Sequence, residues 1–160
     1  MKDLKKHIEG ADAVLITAGA GMSAESNIST YRDSIGDYRD LAGFKGLGYE
    51  QLANEHFLRK NPLFCWEYYA QRTKQFIEAK PHRGYVSLLK ILTDLAKPYF
   101  IFTSNIDGLF LKAGFFKHNI IEWHGSLFQW QCMDGCQSAI WPMSLERLNA
   151  FIGSNFNSRY

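Results

Sequence analysis

Three short apolar runs, each breaking off into a polar cluster, constrain the fold of this chain more than any other feature. "AVLITA", Ala13 to Ala18, runs into Gly19 to Ser23. "YFIFTSN", Tyr99 to Asn105, ends in Thr103 to Asp107, and "NIIEWHGS", Asn119 to Ser126, ends in His124 to Ser126. Continuous apolar runs of this length suit strands buried on both faces of a parallel sheet. Helical stretches lie between them. "NPLFCWEYYAQRTKQFIEAK" reads as a helix with Asn61 as its cap and Pro62 at its first position. Its Phe64, Tyr68, Arg72, Gln75 and Phe76 make no single stripe, so it should be well covered. A second helix runs from about His82 to Ala96, with Leu88, Leu89, Ile91, Leu92 and Leu95 on its apolar face and Pro98 beyond its end. Shorter helices fit Asp3 to Glu9 and "GLFLKAGF". Alternating strands and helices predict an α/β fold with a parallel sheet. Chemistry in such sheets gathers beyond the carboxyl ends of the strands, where all three polar clusters fall.

The bulk properties exclude several classes. A chain of 160 residues is long enough for one domain with a real core, and buries roughly 70% of the surface its unfolded form exposes. An apolar fraction of 46% and a charged fraction of 21% are those of a soluble globular protein. A net charge of +2 with no basic run argues against a nucleic-acid partner. The first residues are basic, but Asp3, Glu9 and Asp12 interrupt them, unlike a signal peptide. No window reaches the ~18 apolar residues of a membrane span, so no membrane partner is expected and the location is read as cytoplasmic. Cys65, Cys132 and Cys136 do not make a disulfide scaffold.

Each cluster has a chemical and a plain structural reading. "GAGMSA", Gly19 to Ala24, fits the loose glycine pattern of a dinucleotide elbow, in which Gly21 lets a ligand approach the backbone and the following amides face a pyrophosphate. It also fits a tight strand-to-helix turn, with Met22 to Ser26 opening the helix. It has no lysine of the kind a P-loop needs. An ordinary nicotinamide dehydrogenase wants an acidic residue ending the second strand about 20 residues on. Asp37 and Asp40 are near that distance, but no strand leads to them. The stretch from Asn27 to Gly48 has no periodicity and is long for a plain loop, which points to a segment that is functional, mobile or both. "TSNIDG" puts Asn105 and Asp107 on one strand end, as ligand-holding groups or as caps of the next helix. "EWHGS" places His124 as a general base or as a buried, satisfied histidine. "CMDGC" offers Cys132 and Cys136 as half of a zinc site or as two free thiols, since a structural zinc wants four ligands. Cys65 falls in a helix and reads as core.

Together these stretches resemble the sirtuin family of NAD-dependent protein deacylases. "GAGMSAESNISTYRD" is similar to the family's "GAGxSxxSGIPxFR", "TSNIDGLFLKAG" to "TQNIDxLxxxAG", and "IEWHGSLFQWQC" to "xELHGxxxxxxC". The start of the helix after Pro81 fits "PNxxHxAL" loosely. The motifs keep their order, and the resemblance covers about Asp12 to Trp141. It implies a Rossmann-like parallel sheet beside a small zinc-binding module. Residues 1–160 would then be a partial sirtuin domain, with a cofactor-loop and small-module region at about 27–60 and a remnant of the zinc module at about 127–142.

The resemblance also implies site roles. Gly19, Ala20, Gly21 and Ser23 would meet the NAD phosphates and ribose. Arg32 would face NAD, with Tyr31 in place of the usual Phe over the nicotinamide pocket. Asn105 and Asp107 would hold the ribose side and the nicotinamide amide, Ser104 stands at the usual Gln, and His124 would be the general base, with Asn105 and His124 the catalytic residues beside the cofactor. The implied reaction cleaves NAD: an acyl-lysine oxygen displaces nicotinamide, His124 takes a proton from a ribose hydroxyl, and lysine leaves with O-acyl-ADP-ribose as the second product. The partners implied are NAD and an acyl-lysine protein or peptide, with zinc as a second cofactor on Cys132 and Cys136. An ADP-ribosyltransferase or NAD hydrolase built on the same pocket stays open, as does an inactive binding module. Several positions depart from the pattern. Asn27 replaces a Gly, Ser29 replaces a Pro, three residues rather than two separate Cys132 from Cys136, and the second cysteine pair is missing. The family's later "FGE" and "GTS" segments and its final strands have no counterpart, which implies a sheet left incomplete on the adenosine side.

Overall fold

The computed structural model describes residues 2–28 and 54–152. In chain order the elements are helix α1 (Lys2–Gly10), strand β1 (Val14–Ala18), a 3-10 segment (Ala20–Ser26), and helices α2 (Glu55–Lys60), α3 (Pro62–Glu78) and α4 (Arg83–Asp94). Strand β2 (Tyr99–Thr103), the short helix α5 (Leu109–Lys112), a 3-10 turn (Lys117–Asn119), strands β3 (Ile120–Glu122), β4 (Gln129–Gln131) and β5 (Ile140–Pro142), and helix α6 (Leu145–Ile152) follow. No helix among the described residues is long and apolar enough to cross a membrane. The chain divides into two compact units, Met1–Ile28 with Ala79–Ser126, and Ser29–Glu78 with Leu127–Tyr160.

The first unit holds a three-stranded parallel sheet in the order β1-β2-β3. The register aligns the three carboxyl ends: Ala18 pairs with Thr103, and Thr103 with Glu122. The polar clusters that follow the strands therefore emerge side by side. Alternation along each strand sends Ile16, Ile101 and Ile120 to one face. That side of the unit carries a core in which Tyr85, Leu92, Ile101, Leu109, Phe110 and Phe115 are buried. Aromatic edges link it, Tyr85 to Phe110 at 4.9 Å and Phe110 to Phe115 at 5.3 Å.

The opposite face corrects an expectation. The apolar runs predict burial on both sides, yet Leu15 is 68% exposed and Phe100, Phe102 and Ile121 are partly exposed with it. Among the described residues the cover of this face is partial, with the Trp123 ring 5.4 Å from that of Phe102. The third run is also shorter than its apolar pattern. It is a strand only over Ile120–Glu122, because Trp123 and His124 form a turn and Gly125 takes φ +80°.

Around the sheet, α4 begins at His82, whose side chain accepts a hydrogen bond from the Gly84 amide. It ends at Leu95, and Ala96 follows in the left-handed region at φ +48°. The Lys97 ammonium donates to the carbonyls of Glu9 and Ala11 at 2.8 and 2.7 Å, tying the end of α1 to the turn before β2.

In the second unit, α3 buries Cys65, Tyr68, Ala70, Thr73 and Phe76 and packs on α6. From Phe64 to Thr73 no residue of α3 is exposed, as its broad apolar pattern predicts. Asn61 does not cap α3 with its side chain. Its amide instead donates back to the Phe57 carbonyl at 3.3 Å and its backbone N–H to the same oxygen at 2.9 Å, closing α2. Strands β4 and β5 pair antiparallel, with Trp130 opposite Trp141, and "CMDGC" lies in their connection.

Candidate functional site at the carboxyl end of the sheet

The chain leaves β1 through Gly19 and enters the 3-10 segment, which closes at Asn27 in the left-handed conformation, φ 60°. Gly19 is extended, at φ −134° and ψ −168°, a shape any residue adopts. A Cβ on Gly19 would make an ordinary contact, 3.5 Å from Ser104 Oγ, and one on Gly21 would meet no described atom within 4 Å. Among the described residues the space beside Gly21 is open, as a ligand lying against the backbone requires. The helix expected to open at Met22 is this 3-10 segment.

Ser23, Asn105 and Asp107 converge under the elbow, all buried. Ser23 Oγ donates to Asp107 Oδ2 at 2.5 Å. Asn105 Nδ2 donates to the Gly19 carbonyl at 2.9 Å and to Ser23 Oγ at 3.0 Å. The Asn105 amide is held in turn by Thr103 Oγ1 at 3.0 Å, and Thr103 Oγ1 donates to the Ala18 carbonyl at 3.1 Å. Asp107 Oδ1 accepts from the Leu109 amide at 2.9 Å, so the capping role is real for this residue. These groups brace the elbow from below, and their polar atoms are largely spent on one another. Ser104 sits beside them, its amide donating to the Ala18 carbonyl at 3.1 Å.

His124 stands exposed in the turn after β3. The buried, satisfied histidine that its strand-end position allowed is therefore excluded, and its ring is accessible to a ligand. Tyr31 and Arg32 lie outside the described residues.

Three residues of this region were not singled out from the sequence. Tyr85 is buried in α4 with its hydroxyl 3.4 Å from Ser23 Oγ. Burial, reinforced by the Asp107 charge and offset in part by Ser23, pushes its phenol up to about 12. His82 contacts the 3-10 segment from the start of α4. Glu122, half-buried at the end of β3, has its carboxyl raised, first by burial and then by the charge of Asp107. Tyr85 falls in register with Leu88, Leu89 and Leu92, so its burial was legible. A buried tyrosine needs a partner for its hydroxyl, but nothing local named Ser23.

For the zinc expectation the described residues bring together two thiols. Cys136 Sγ donates to Cys132 Sγ at 2.8 Å, and both are free thiols. No third histidine, cysteine or carboxylate joins them in a cluster among the described residues. The one other cysteine, Cys65, is buried in α3 with 0% exposure. Two thiols fall short of the four ligands of a structural zinc.

Fold and site together are those of a Rossmann-like α/β domain, with its polar groups gathered at the carboxyl ends of parallel strands. The model of the Sir2 family matches residues 19–152, and the chain belongs to that family. It is 33% identical over 129 residues to an NAD-dependent protein deacylase of Ralstonia nicotianae, covering 81% of this chain and 49% of that protein. It is 32% identical over 130 residues to a deacylase of Pyrococcus furiosus, covering 81% and 48%. A crystal structure of a Sir2 homolog–NAD complex superposes with a TM-score of 0.72 at 30% identity, over 89% of this chain and 52% of that one. A mutant Sir2 homologue in complex with 2′-O-acetyl-ADP-ribose gives 0.70 at 29% identity, over 89% and 53%. The chain thus spans about half the length of the relatives it matches.

Proposed function

We propose that this chain carries the cofactor elbow and the catalytic histidine of an NAD-dependent protein lysine deacylase. The observation that supports this best is the strand register, which brings the open elbow at Gly19–Gly21, the Ser23–Asn105–Asp107 brace and the turn of His124 to one sheet edge. Its relatives bear the deacylase name, and a similar structure holds NAD. When bound, NAD would supply a ribose carbon with nicotinamide as its leaving group.

The residues of the chain then divide the work. Gly19, Ala20 and Gly21 offer their backbone to the cofactor, and buried Ser23 fixes that backbone from below. Asn105 and Asp107 hold the same backbone in place, and Ser104 borders it. His124 takes a proton from a ribose hydroxyl at a ring nitrogen, which a neutral imidazole does near physiological pH. Tyr31 and Arg32 complete the cofactor contacts in this reading. The acyl-lysine of a protein or peptide is the second substrate, and the working location is cytoplasmic.

The test is nicotinamide release from NAD by the purified chain, with and without an acetyl-lysine peptide. Release that needs both the peptide and His124 supports the deacylase. Release without peptide supports NAD hydrolysis or ADP-ribosyl transfer instead. Deacylation that survives His124→Ala overturns the assignment of the base.

A further inference from the structure

Gly84 is the first sign that His82 does more than start a helix. A Cβ at Gly84 would lie 2.4 Å from His82 Cε1 and 2.9 Å from Nδ1. The imidazole therefore lies against the first turn of α4 in space that only glycine leaves. Both ring nitrogens are used there. The Gly84 amide, 2.9 Å from Nδ1, can only donate, so Nδ1 accepts. The Met22 carbonyl, 2.8 Å from Nε2, can only accept, so Nε2 donates. The tautomer with its hydrogen on Nε2 satisfies both partners, and Glu25 Oε2 stands further off, 3.6 Å from Nδ1.

The main chain and the next aromatic ring reinforce this link. The His82 backbone N–H donates to Ser26 Oγ at 3.1 Å. The imidazole meets the Tyr85 ring at 4.9 Å, and the Tyr85 hydroxyl lies 3.4 Å from Ser23 Oγ. Met22, Ser23 and Ser26 all belong to the 3-10 segment, so the start of α4 grips that segment at three places.

We propose that His82 is a positioning residue for the cofactor segment. Its Nε2–H tether to the Met22 carbonyl, held in one tautomer by the Gly84 amide, sets where Gly19 to Ser23 sit for a bound dinucleotide. The functional consequence rests on the elbow being the NAD site; the tether itself does not.

Two substitutions separate tether from cap. His82→Asn keeps an oxygen near Nδ1 that can cap α4, but reaches no donor to Met22. His82→Gln places an amide nitrogen near Nε2 and gives up the cap. In His82→Asn, the Met22 and Asn27 amides, both hydrogen-bonded within the segment, should exchange with solvent roughly fivefold faster, the effect of losing one neutral hydrogen bond. The amides of α4 should hold, and the NAD dissociation constant should rise by a similar factor. His82→Gln should bring the segment's exchange back toward that of the native chain. Unchanged segment exchange in His82→Asn would make His82 a cap only and overturn the proposal. Nitrogen-15 spectra of the native imidazole decide without any variant: an Nε2 without a hydrogen overturns the tether, and a hydrogen fixed on Nε2 supports it. If the native chain binds no NAD, the deacylase reading fails for this chain, while exchange and ring nitrogens still settle the tether.

Discussion

Ser23 donates its hydroxyl hydrogen to Asp107 at 2.5 Å, joining the elbow after β1 to the tip of β2 across 84 positions of sequence. Both residues are almost wholly buried, and the second carboxylate oxygen holds the Leu109 amide. Hydrogen bonds to a charged group contribute about 1.5–3 kcal/mol, and an orphaned buried partner costs about as much again. Asp107→Ala should therefore destabilise the chain by about 2–4 kcal/mol. Asp107→Asn, which can still accept from Leu109, should cost less. A double-mutant cycle of Ser23→Ala with Asp107→Asn, read by denaturant melts, should give a coupling of about 1–2 kcal/mol. Additive effects would show that the pair does not act as a unit.

Ala96 closes α4 at φ +48°. The Lys97 amide returns to the Leu92 carbonyl at 3.0 Å, a helix ending that favours glycine in the left-handed position. An L side chain there costs roughly 1–2 kcal/mol, partly offset by the extra freedom glycine gives the unfolded chain. Ala96→Gly should stabilise the chain by about 0.5–1 kcal/mol in the same melts. An unchanged or lower midpoint would mean the turn relaxes around alanine.

The strands and the main helices were legible because apolar runs and helical stripes are local patterns. Their alternation with one another also pointed to the parallel sheet. The open face around Leu15 was not legible, since apolar content reports what a strand is suited to and not what lies beside it. β3 stops short of its apolar run because Trp123, though apolar, lies in a turn and is 67% exposed. At the site, Gly19, Ser23, Asn105 and Asp107 were found by motif and do converge. Tyr85 and His82 were missed because their partners, Ser23 and Met22, lie 62 and 60 positions away. Asn61 serves both helices: its carbonyl accepts the Cys65 amide at 3.0 Å at the start of α3, while its side chain turns back to Phe57 of α2.

Glu122 gives the fold a pH dependence of definite sign. Burial and the Asp107 charge raise its carboxyl in the folded chain, against smaller opposing effects from the Gly108 amide and Lys117. The folded state thus favours the protonated acid. Its contribution is fully present below the unfolded pKa and is lost as pH rises through the folded one. Glu122→Gln keeps an oxygen for the Gly108 amide and removes the charge. It should raise the melting midpoint at neutral pH, with a difference from the native chain that shrinks as the medium is acidified. A difference that stays constant between neutral and mildly acidic pH would show that Glu122 ionises as it does in the unfolded chain.

The thiols should react in a fixed order. Cys136 donates its hydrogen bond to Cys132, and this contact, with backbone amides beside it, lowers the Cys132 thiol and raises that of Cys136. Cys65 is raised by burial in α3. The thiolate is the nucleophile, so exposure and a lowered pKa together set the rate. Limited alkylation of the folded chain with iodoacetamide at mildly alkaline pH, mapped by mass spectrometry, should label Cys132 first, Cys136 more slowly, and Cys65 only after unfolding. The same preparation should show no stoichiometric zinc, and a chelator should leave both the labelling order and the melting midpoint unchanged. Protection of Cys132 and Cys136 that a chelator relieves would mean that a metal holds them after all, with ligands beyond the described residues.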